Sequence, residues 1–424
     1  MPLNEYATVS TQVSPDNNPP ASEPIADRDR YSRQILFPGI GPLGQQRLAA
    51  SHVAIVGCGA MGAASASLLA RAGVGTLTLI DRDFVEHSNL QRQVLFDEAD
   101  ARDTLPKAEA ARRHIALFNS RVTVHAHIAD LTPTNIAELL APAGLHGTGQ
   151  PTVQIILDAT DNFETRYLIN DFAVQRGIPW IYAAAIGAYA ATMNILPLSL
   201  SSRTLSERSE SKGEGPASAT SNQQPTTVPP TACLACIFPK PPTGNVETCD
   251  TAGILSTAVN LAASIQVTET LKFLTGQPHR MRRTLLSFDI WNPVGNGRPE
   301  GNGYSEGSSY LDHSEISAGT PRAGCPVCTE RIFTHLAGQD RAHITLCGRD
   351  SVQIHEHHRP IDFAALRARL AAHAEIEALR CNDLILRFRR GPLTLTLFTD
   401  GRAIVQGTTD IAVARSLYAR FVGS

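Results

Sequence analysis

A glycine-rich turn between an apolar strand and a helix is the feature that most constrains this sequence. Residues 52–57 form a short apolar run, and Gly57, Gly59 and Gly62 follow with the spacing of a phosphate-binding turn. Glycines let the backbone approach a phosphate, and the N-terminus of the next helix attracts negative charge. Asp81 ends the following strand, where a carboxylate commonly binds ribose hydroxyls. The pattern predicts a βαβ unit that binds a nucleotide through these residues.

Strand and helix patterns alternate beyond this unit. Residues 107–119 and 166–177 have helical periodicity, while 122–127, 153–158 and 179–184 are short apolar or β-branched runs. Alternation of this kind favours parallel strands with helices on the faces of the sheet. We therefore predict an α/β fold with a Rossmann-like, mostly parallel sheet.

Changes of composition divide the chain into parts. Residues 1–29 are polar and rich in Pro, Ser and Asn, which predicts a disordered tail. The main folded domain is expected over 30–330. Two of its segments, 199–230 and 295–320, have few large apolar residues and are expected to be flexible inserts. Residues 340–424 are predicted to form a small C-terminal α+β domain of unknown role.

Charged and amide side chains follow the predicted nucleotide turn. Asn89 and Arg92 come after Asp81, Lys107 begins a helix, and Asp161 follows a buried strand. A hydride-transfer site has no need of Arg, Lys and a second carboxylate near the phosphates. An ATP-cleaving site uses them to neutralise the triphosphate and to hold Mg²⁺. These residues favour ATP chemistry, and an NAD- or FAD-dependent oxidoreductase, which has the same glycine turn, is the alternative.

Four of the eight cysteines form two Cys-x-x-Cys pairs, Cys233 with Cys236 and Cys325 with Cys328. In a chain with no evident export signal, two such pairs indicate a Zn²⁺ site before they indicate disulfides. A set of redox-active dithiols is the alternative.

Charge and hydropathy argue against other classes of partner. The formal net charge is -3 and no basic block is present, so neither nucleic acid nor an anionic membrane surface is expected as a partner. The uncharged run 178–198 is interrupted by Pro179 and Pro197, which favours buried strands over a membrane-spanning helix. A cytoplasmic protein is expected.

Several motifs occur together in the order seen in one known family. They are residues 30–35, Gly57-Cys58-Gly59, Asp81, residues 88–93, Pro106-Lys107, Thr160-Asp161-Asn162 and the two cysteine pairs. Over about residues 30–328 the chain resembles the HesA/MoeB/ThiF family, which is related to the ubiquitin-activating enzymes. The resemblance implies a Rossmann-like adenylation domain that uses ATP to adenylate the C-terminal glycine carboxylate of a ubiquitin-like sulfur-carrier protein ending in Gly-Gly. Pyrophosphate would be released.

The resemblance also implies roles for the residues around the nucleotide. Asp81 would hold the ATP ribose, and Asp161 would bind Mg²⁺. Asn89, Arg92 and Lys107 would contact the phosphates. Such cations are needed because one anion, the carboxylate, must approach another, the α-phosphate. The Zn²⁺ held by the four paired cysteines would be structural.

Two further residues are assigned by the same resemblance. Arg33 would insert into the neighbouring subunit's site in a homodimer. Cys249 would link covalently to the carrier, as in some family members, and a small packing residue is the alternative for a free cysteine. A cysteine desulfurase or another sulfur donor is an expected partner. A non-catalytic carrier-binding module is a third interpretation, against which the intact Arg92, Lys107 and Asp161 count.

Overall fold

The computed structural model describes residues 29–141, 152–198, 228–241, 252–291, 312–338, 351–354, 361–399 and 401–423. The strands are β1 His52–Val56, β2 Thr76–Ile80, β3 Thr123–His127, β4 Ile155–Asp158, β5 Trp180–Ile186, β6 Tyr189–Ile195, β7 Thr284–Asp289, β8 Asp312–Ser317, β9 Ser351–Ile354, β10 Glu377–Cys381, β11 Ile385–Arg390, β12 Leu393–Phe398 and β13 Ala403–Gln406. The α-helices are α1 Ser32–Ile35, α2 Gly41–Ala49, α3 Ala60–Ala72, α4 Glu98–Asp103, α5 Lys107–Phe118, α6 Ile136–Leu140, α7 Phe163–Arg176, α8 Leu234–Ile237, α9 Ser256–Leu274, α10 Phe363–Ala371 and α11 Ile411–Phe421. The predicted tail, except Asp29, lies outside the described residues, as do residues 199–227 of the first insert.

An eight-stranded sheet forms the centre of the larger unit, in the order β3-β2-β1-β4-β5-β6-β7-β8. The pairs from β3 to β5 are parallel, and those from β5 to β8 are antiparallel. The predicted α/β class with a mostly parallel sheet is confirmed. The chain order changes direction between β1 and β4, and ligands of such sheets bind at the carboxyl ends of the strands beside that point.

Apolar side chains cover both faces of this sheet. Every residue of β1 is buried. One core cluster joins β1 and β2 to Leu69 of α3 and Ile115 of α5, and a second joins β4 and β6 to Phe172 of α7. Parallel strands that are buried on both faces read as continuous apolar runs, which is why the sequence predicts them well.

The uncharged run 178–198 forms β5 and β6, which are mostly buried in the large sheet. This confirms the prediction of buried strands there. Within the described ranges, none of the helices has the length and hydropathy needed to cross a membrane.

Strand β8 corrects one expectation from the sequence. The segment predicted to be flexible, 295–320, includes Asp312–Ser317, which pairs antiparallel with β7 at the edge of the sheet. The prediction is therefore wrong for these six residues. The side chains of β8 are largely exposed and polar, so its stability comes from backbone pairing with β7 and leaves no hydrophobic pattern to read.

A second, five-stranded sheet lies in the C-terminal part, in the order β10-β11-β12-β13-β9. All its strand pairs are antiparallel. Helices α10 and α11 pack on one face through Leu366, Leu417 and Phe421. Apolar patterns in the sequence predict strands at 352–354, 384–388, 393–398 and 403–406 and helices at 361–374 and 411–421, and the structure has an element at each of these places. They do not predict β10, whose residues are mostly exposed. A strand predicted at 344–346 lies outside the described residues.

Candidate functional site

The glycine turn connects the end of β1 to the start of α3. Gly57 has a φ of 91°, a conformation that glycine adopts without strain. A Cβ on Gly57 would lie 2.5 Å from the carbonyl oxygen of Ala159, and one on Gly62 would collide with the carbonyl oxygen of Gly57. Gly59 precedes the first residue of the 13-residue helix α3. The turn therefore packs against the segment after β4 and offers backbone N–H groups and a helix N-terminus to a phosphate.

Asp81 lies at the end of β2, next to this turn. Its Oδ2 accepts a hydrogen bond from the Cys58 amide at 2.5 Å, and its Oδ1 accepts one from the Asp83 amide at 2.7 Å. Burial raises the pKa of the Asp81 carboxyl, while the charge of Lys107 acts in the opposite direction. Each carboxylate oxygen has a further lone pair, so Asp81 fixes the turn and still has acceptors for ribose hydroxyls.

Lys107 is the first residue of α5 and is 4% exposed. Its Nζ lies 3.1 Å from Oδ2 of Asp83, and its amide donates to the Asp83 carbonyl at 2.9 Å. Its charge also acts on Asp81 and on the Cys58 thiol of the glycine turn. The structure thus brings this predicted phosphate contact to the turn, where Asp83 orients it.

The segment after β2 carries Asn89 and Gln93 into the same region. Asn89 is 1% exposed, and its Oδ1 accepts a hydrogen bond from the Glu86 amide at 3.1 Å. The Nδ2 of Asn89 and the Oε1 of Gln93 are buried and have no hydrogen-bond partner within the described part of the chain. The Nε2 of Gln93 lies 3.9 Å from the position that a Cβ on Gly59 would take. Because buried polar atoms are normally paired, these two fit a site that a polar ligand completes.

Asp161 follows β4 on a loop that buried charged side chains fix through hydrogen bonds. The Oδ1 of Asp158 accepts hydrogen bonds from the amide and hydroxyl of Thr160, at 2.9 and 2.7 Å. Arg166 forms an ion pair with Asp158 at 3.2 Å and donates to the Thr160 carbonyl at 2.6 Å. Both charged side chains are buried, whereas Asp161 is exposed. A carboxylate on such a fixed loop fits the preference of Mg²⁺ for oxygen ligands.

The two predicted arginines lie in different places. Arg92 is half-buried in the segment that carries Asn89, and its Nη1 donates to the Ser88 carbonyl at 2.9 Å. Arg33 is exposed on α1, and the adjacent Gln34 donates to the carbonyl of Ala72 at the end of α3. The glycine turn is at the other end of α3, about 20 Å away at the rise of an α-helix. Arg33 is therefore remote from the nucleotide turn of its own chain.

The four paired cysteines meet in one cluster. All four Sγ atoms lie within 4.8 Å of one another. The Sγ–Sγ distances include 3.8 Å for Cys233–Cys236, 3.6 Å for Cys233–Cys325 and 3.4 Å for Cys236–Cys328. Tetrahedral Zn²⁺ with Zn–S bonds of about 2.3 Å places its sulfurs about 3.8 Å apart. The donor set and the spacing both fit a Zn²⁺ ion.

The two segments that carry the cysteine pairs also form hydrogen bonds with α7. The amide of Leu234 in α8 donates to Oδ1 of Asn170 at 2.9 Å. Beyond the second pair, Arg331 donates to the Val174 carbonyl at 2.7 Å, and the His335 amide donates to Oδ2 of Asp171 at 3.0 Å. The cluster belongs to the core on the α7 face of the sheet, which suits a structural metal.

The sequence motifs do not mark Asp83, Gln93 or Arg166 as parts of the site. Gln93 lies within the motif at residues 88–93, where Asn89 and Arg92 carry the recognised pattern. Asp83 precedes no recognisable motif, and its pairing with Lys107 depends on how the chain folds back. Arg166 gives a weak signal, since a charge among the buried residues of α7 needs a partner. Cys249 lies outside the described residues, and its role stays a prediction.

Residues 31–300 match the ThiF family. The match covers more than half of the 424 residues. The chain belongs to the ThiF family. It is 39% identical over 398 residues to the sulfur carrier protein ThiS adenylyltransferase of Bacillus subtilis, with 93% of this chain and 99% of that protein covered. It is 35% identical over 262 residues to the SAMP-activating enzyme E1 of Haloferax volcanii, with 62% and 81% covered.

A crystal structure of E. coli MccB with ATP is 22% identical to this ThiF-family chain, with a TM-score of 0.48 and 71% of this chain and 74% of that chain covered. The resemblance found in the sequence is confirmed by the family match. The Bacillus relative is named an adenylyltransferase, the enzyme class that the sequence predicts for this chain.

Proposed function

We propose that this chain uses ATP to adenylate the C-terminal carboxylate of a ubiquitin-like sulfur-carrier protein. The observation that carries the proposal is the meeting of three segments at the carboxyl ends of β1, β2 and β4: the glycine turn, residues 81–93 and the Asp161 loop. A relative matched over nearly its whole length is named for adenylation of the carrier ThiS. Family membership and the charged residues both favour this function over an oxidoreductase.

The adenylation reaction requires positive charge around the phosphates, which explains the cationic residues of the site. A carboxylate oxygen of the carrier attacks the α-phosphorus of ATP, the bond to the bridging oxygen of the β-phosphate breaks, and pyrophosphate leaves. The product is a mixed anhydride of the carrier and AMP. Arg92 and Lys107 lower the repulsion between the two anions, and the α3 N-terminus stabilises the phosphates. Asp161 would hold Mg²⁺, which would neutralise the charge of the leaving pyrophosphate.

ATP–pyrophosphate exchange tests this function. The enzyme is incubated with ATP, Mg²⁺, labelled pyrophosphate and a purified ubiquitin-like carrier that ends in Gly-Gly. Label is expected to enter ATP only when the carrier is present, because the reversible step needs its carboxylate. The control is the same carrier without its terminal glycine. Equal exchange with the shortened carrier, or none with the intact one, would refute the proposal.

Arg33 lies far from the nucleotide turn of its own chain, and a homodimer in which it reaches the neighbouring subunit's site would explain this position. Arg33 lies at the end of α3 that is remote from the glycine turn. Near it, Leu36, Phe37 and Leu43 are 71, 62 and 71% exposed. An apolar patch of this kind suits a subunit interface. In a two-fold dimer the same patch of both subunits forms the interface, so each subunit can place its Arg33 in the other subunit's site.

Mixing two inactive variants tests the exchange of Arg33. Arg33→Ala leaves its own Asp161 intact, and Asp161→Ala leaves its own Arg33 intact. A mixed dimer then has one complete site, so an equimolar mixture should recover roughly a quarter of the wild-type exchange rate. Absence of recovery after subunit exchange has been demonstrated by mass or fluorescence would show that Arg33 does not act across the interface.

Two parts of the function rest on the family resemblance alone. The adenylated carrier is ready to receive sulfur, and a cysteine desulfurase or another sulfur donor would supply it. Cys249 would hold the carrier covalently after adenylation, through attack of its thiolate on the mixed anhydride with loss of AMP. These assignments complete the proposed reaction sequence.

A further inference from the structure

The C-terminal sheet has two apolar faces, and within the described part of the chain helices α10 and α11 cover one of them. Leu386 and Phe388 of β11 point into the core under α10 and α11. On the opposite face, Ile385, Phe398 and Ile404 form a small buried cluster with Ile128, which directly follows β3 of the larger unit. The sheet therefore docks on the nucleotide-binding unit through its second face.

Polar contacts surround this apolar cluster. Arg380 donates to the carbonyl of Arg102 at 2.8 Å, and Asn382 donates to the carbonyl of Asp103 at 3.2 Å. These carbonyls belong to the last turn of α4, where the helix itself provides no donors. Arg402 donates to the carbonyl of Ile128 at 2.5 Å. The contacts give the docking a defined orientation.

The same face reaches the segment that leads to Asn89. The guanidinium carbon of Arg387 lies 4.7 Å from the centre of the Phe84 ring. Arg387 also donates to Oε1 of Gln406 at 3.2 Å, and Nε2 of Gln406 lies 3.5 Å from Oε1 of Glu86. Phe84 is 3% exposed, so the ring is enclosed between the two units.

Both contacted residues are linked directly to the nucleotide site. Glu86 and Asn89 form a reciprocal cap, in which each side chain accepts from the other's backbone amide. Phe84 forms a bridge with Pro106, the residue before Lys107. The C-terminal sheet thus contacts the chain both before and after residues 89–93. It contacts residues 84–86, which precede this stretch in the sequence, and the end of α4, which follows it.

We propose that the C-terminal sheet is a positioning element of the nucleotide site, in which Arg387 and Gln406 fix the segment that presents Asn89 and Lys107 to ATP. This inference rests on the proposed function. Residues on connecting segments bind well only when their supports hold them in place. Without the Arg387–Phe84 contact, worth about 1 kcal/mol at a partly exposed site, ATP must itself order the segment, and this ordering cost makes ATP binding about fivefold weaker.

The test compares Arg387→Ala with Arg389→Ala in the full-length protein. Arg389 lies on the same strand but pairs with Glu377 inside the C-terminal sheet, at 2.6 Å. We expect Arg387→Ala to raise the Kd and KM for ATP about fivefold. The KM for the carrier should change little, and Arg389→Ala should behave as wild type. Adding Gln406→Ala should increase the effect on ATP.

Two further variants keep the proposal open to refutation if Arg387→Ala folds poorly. Phe84→Leu retains a buried apolar side chain but removes the ring face, and should weaken ATP binding in the same way. Arg387→Lys keeps a cation over the ring and should restore part of the affinity. Unchanged ATP affinity in both Arg387→Ala and Phe84→Leu, or an equal loss in Arg389→Ala, would overturn the inference.

Variants of the site itself separate this inference from the proposed function. Lys107→Ala must weaken ATP binding if the nucleotide site is assigned correctly. When Lys107→Ala has this effect and Arg387→Ala has none, only the role of the C-terminal sheet is wrong. When Lys107→Ala has no effect either, the nucleotide site itself is wrong and the inference falls with it.

Discussion

Asp161→Ala is expected to lower carrier-dependent ATP–pyrophosphate exchange by about a thousandfold, because it removes the proposed Mg²⁺ ligand. A metal that stabilises developing phosphate charge contributes several kcal/mol to the transition state, and each 1.4 kcal/mol is about tenfold in rate. Asp161 is exposed, whereas the buried pair beneath it, Asp158 and Arg166, stays intact. The loss should therefore appear in the rate and not in the melting temperature.

Two controls make the Asp161 result specific. Glu138→Ala removes another exposed carboxylate, from α6, and should leave exchange unchanged. Asp161→Asn keeps the size of the side chain and one oxygen, so it should be impaired but respond to higher Mg²⁺ concentration. Exchange at the wild-type rate in Asp161→Ala would show that the metal ligand has been assigned to the wrong residue.

Removal of the metal from the cysteine cluster is expected to have the largest effect on stability. Structural Zn²⁺ binds zinc-finger peptides with about 10–16 kcal/mol, and in such sites the binding energy is folding energy. A loss of only about 5 kcal/mol lowers the melting temperature of a domain of about 300 residues by about 8 °C, since the unfolding entropy is about 2.1 cal/mol/K per residue. Elemental analysis should find one zinc per chain, and Cys236→Ser should lose both the metal and this stability.

Cys381→Ser is the matched control for the zinc site. Cys381 is a partly exposed free cysteine of β10, far in sequence from the four-cysteine cluster. The variant should keep its zinc and its melting temperature. Because thiolates are the ligands, metal retention should fall as the pH is lowered. A chain purified without chelators that contains no zinc, with disulfides between the cysteines, would contradict the assignment.

The parallel core and the glycine turn are predicted well because both have local patterns. Strand β1 is buried at every position, and the turn after it needs glycine where Gly57 has positive φ. The sequence does not predict strands β8 and β10, because their side chains are mostly exposed and their pairing partners supply the stability. A local hydrophobic pattern does not identify a strand whose stability comes from backbone pairing with an adjacent strand.

The supports of the site are harder to predict than the residues that carry its motifs. Lys107 and Asp161 lie in short motifs, but Asp83 and Arg166 act through contacts that form only when β2, β4 and their following segments meet. Docking of the C-terminal sheet depends on Arg387 and Phe84, which are about 300 residues apart in the sequence. The sequence around either residue gives no indication that the two side chains are in contact.

The most direct test of carrier adenylation is the mass of the carrier protein after reaction. A ubiquitin-like carrier ending in Gly-Gly is mixed with the enzyme, ATP, Mg²⁺ and pyrophosphatase, and its intact mass is measured under acidic conditions that preserve a mixed anhydride. We expect a gain of one adenylyl group, confined to the C-terminal glycine and absent with Lys107→Ala. A carrier whose mass stays unchanged while the enzyme binds ATP, or an adenylyl group found at any other residue, would contradict this expectation.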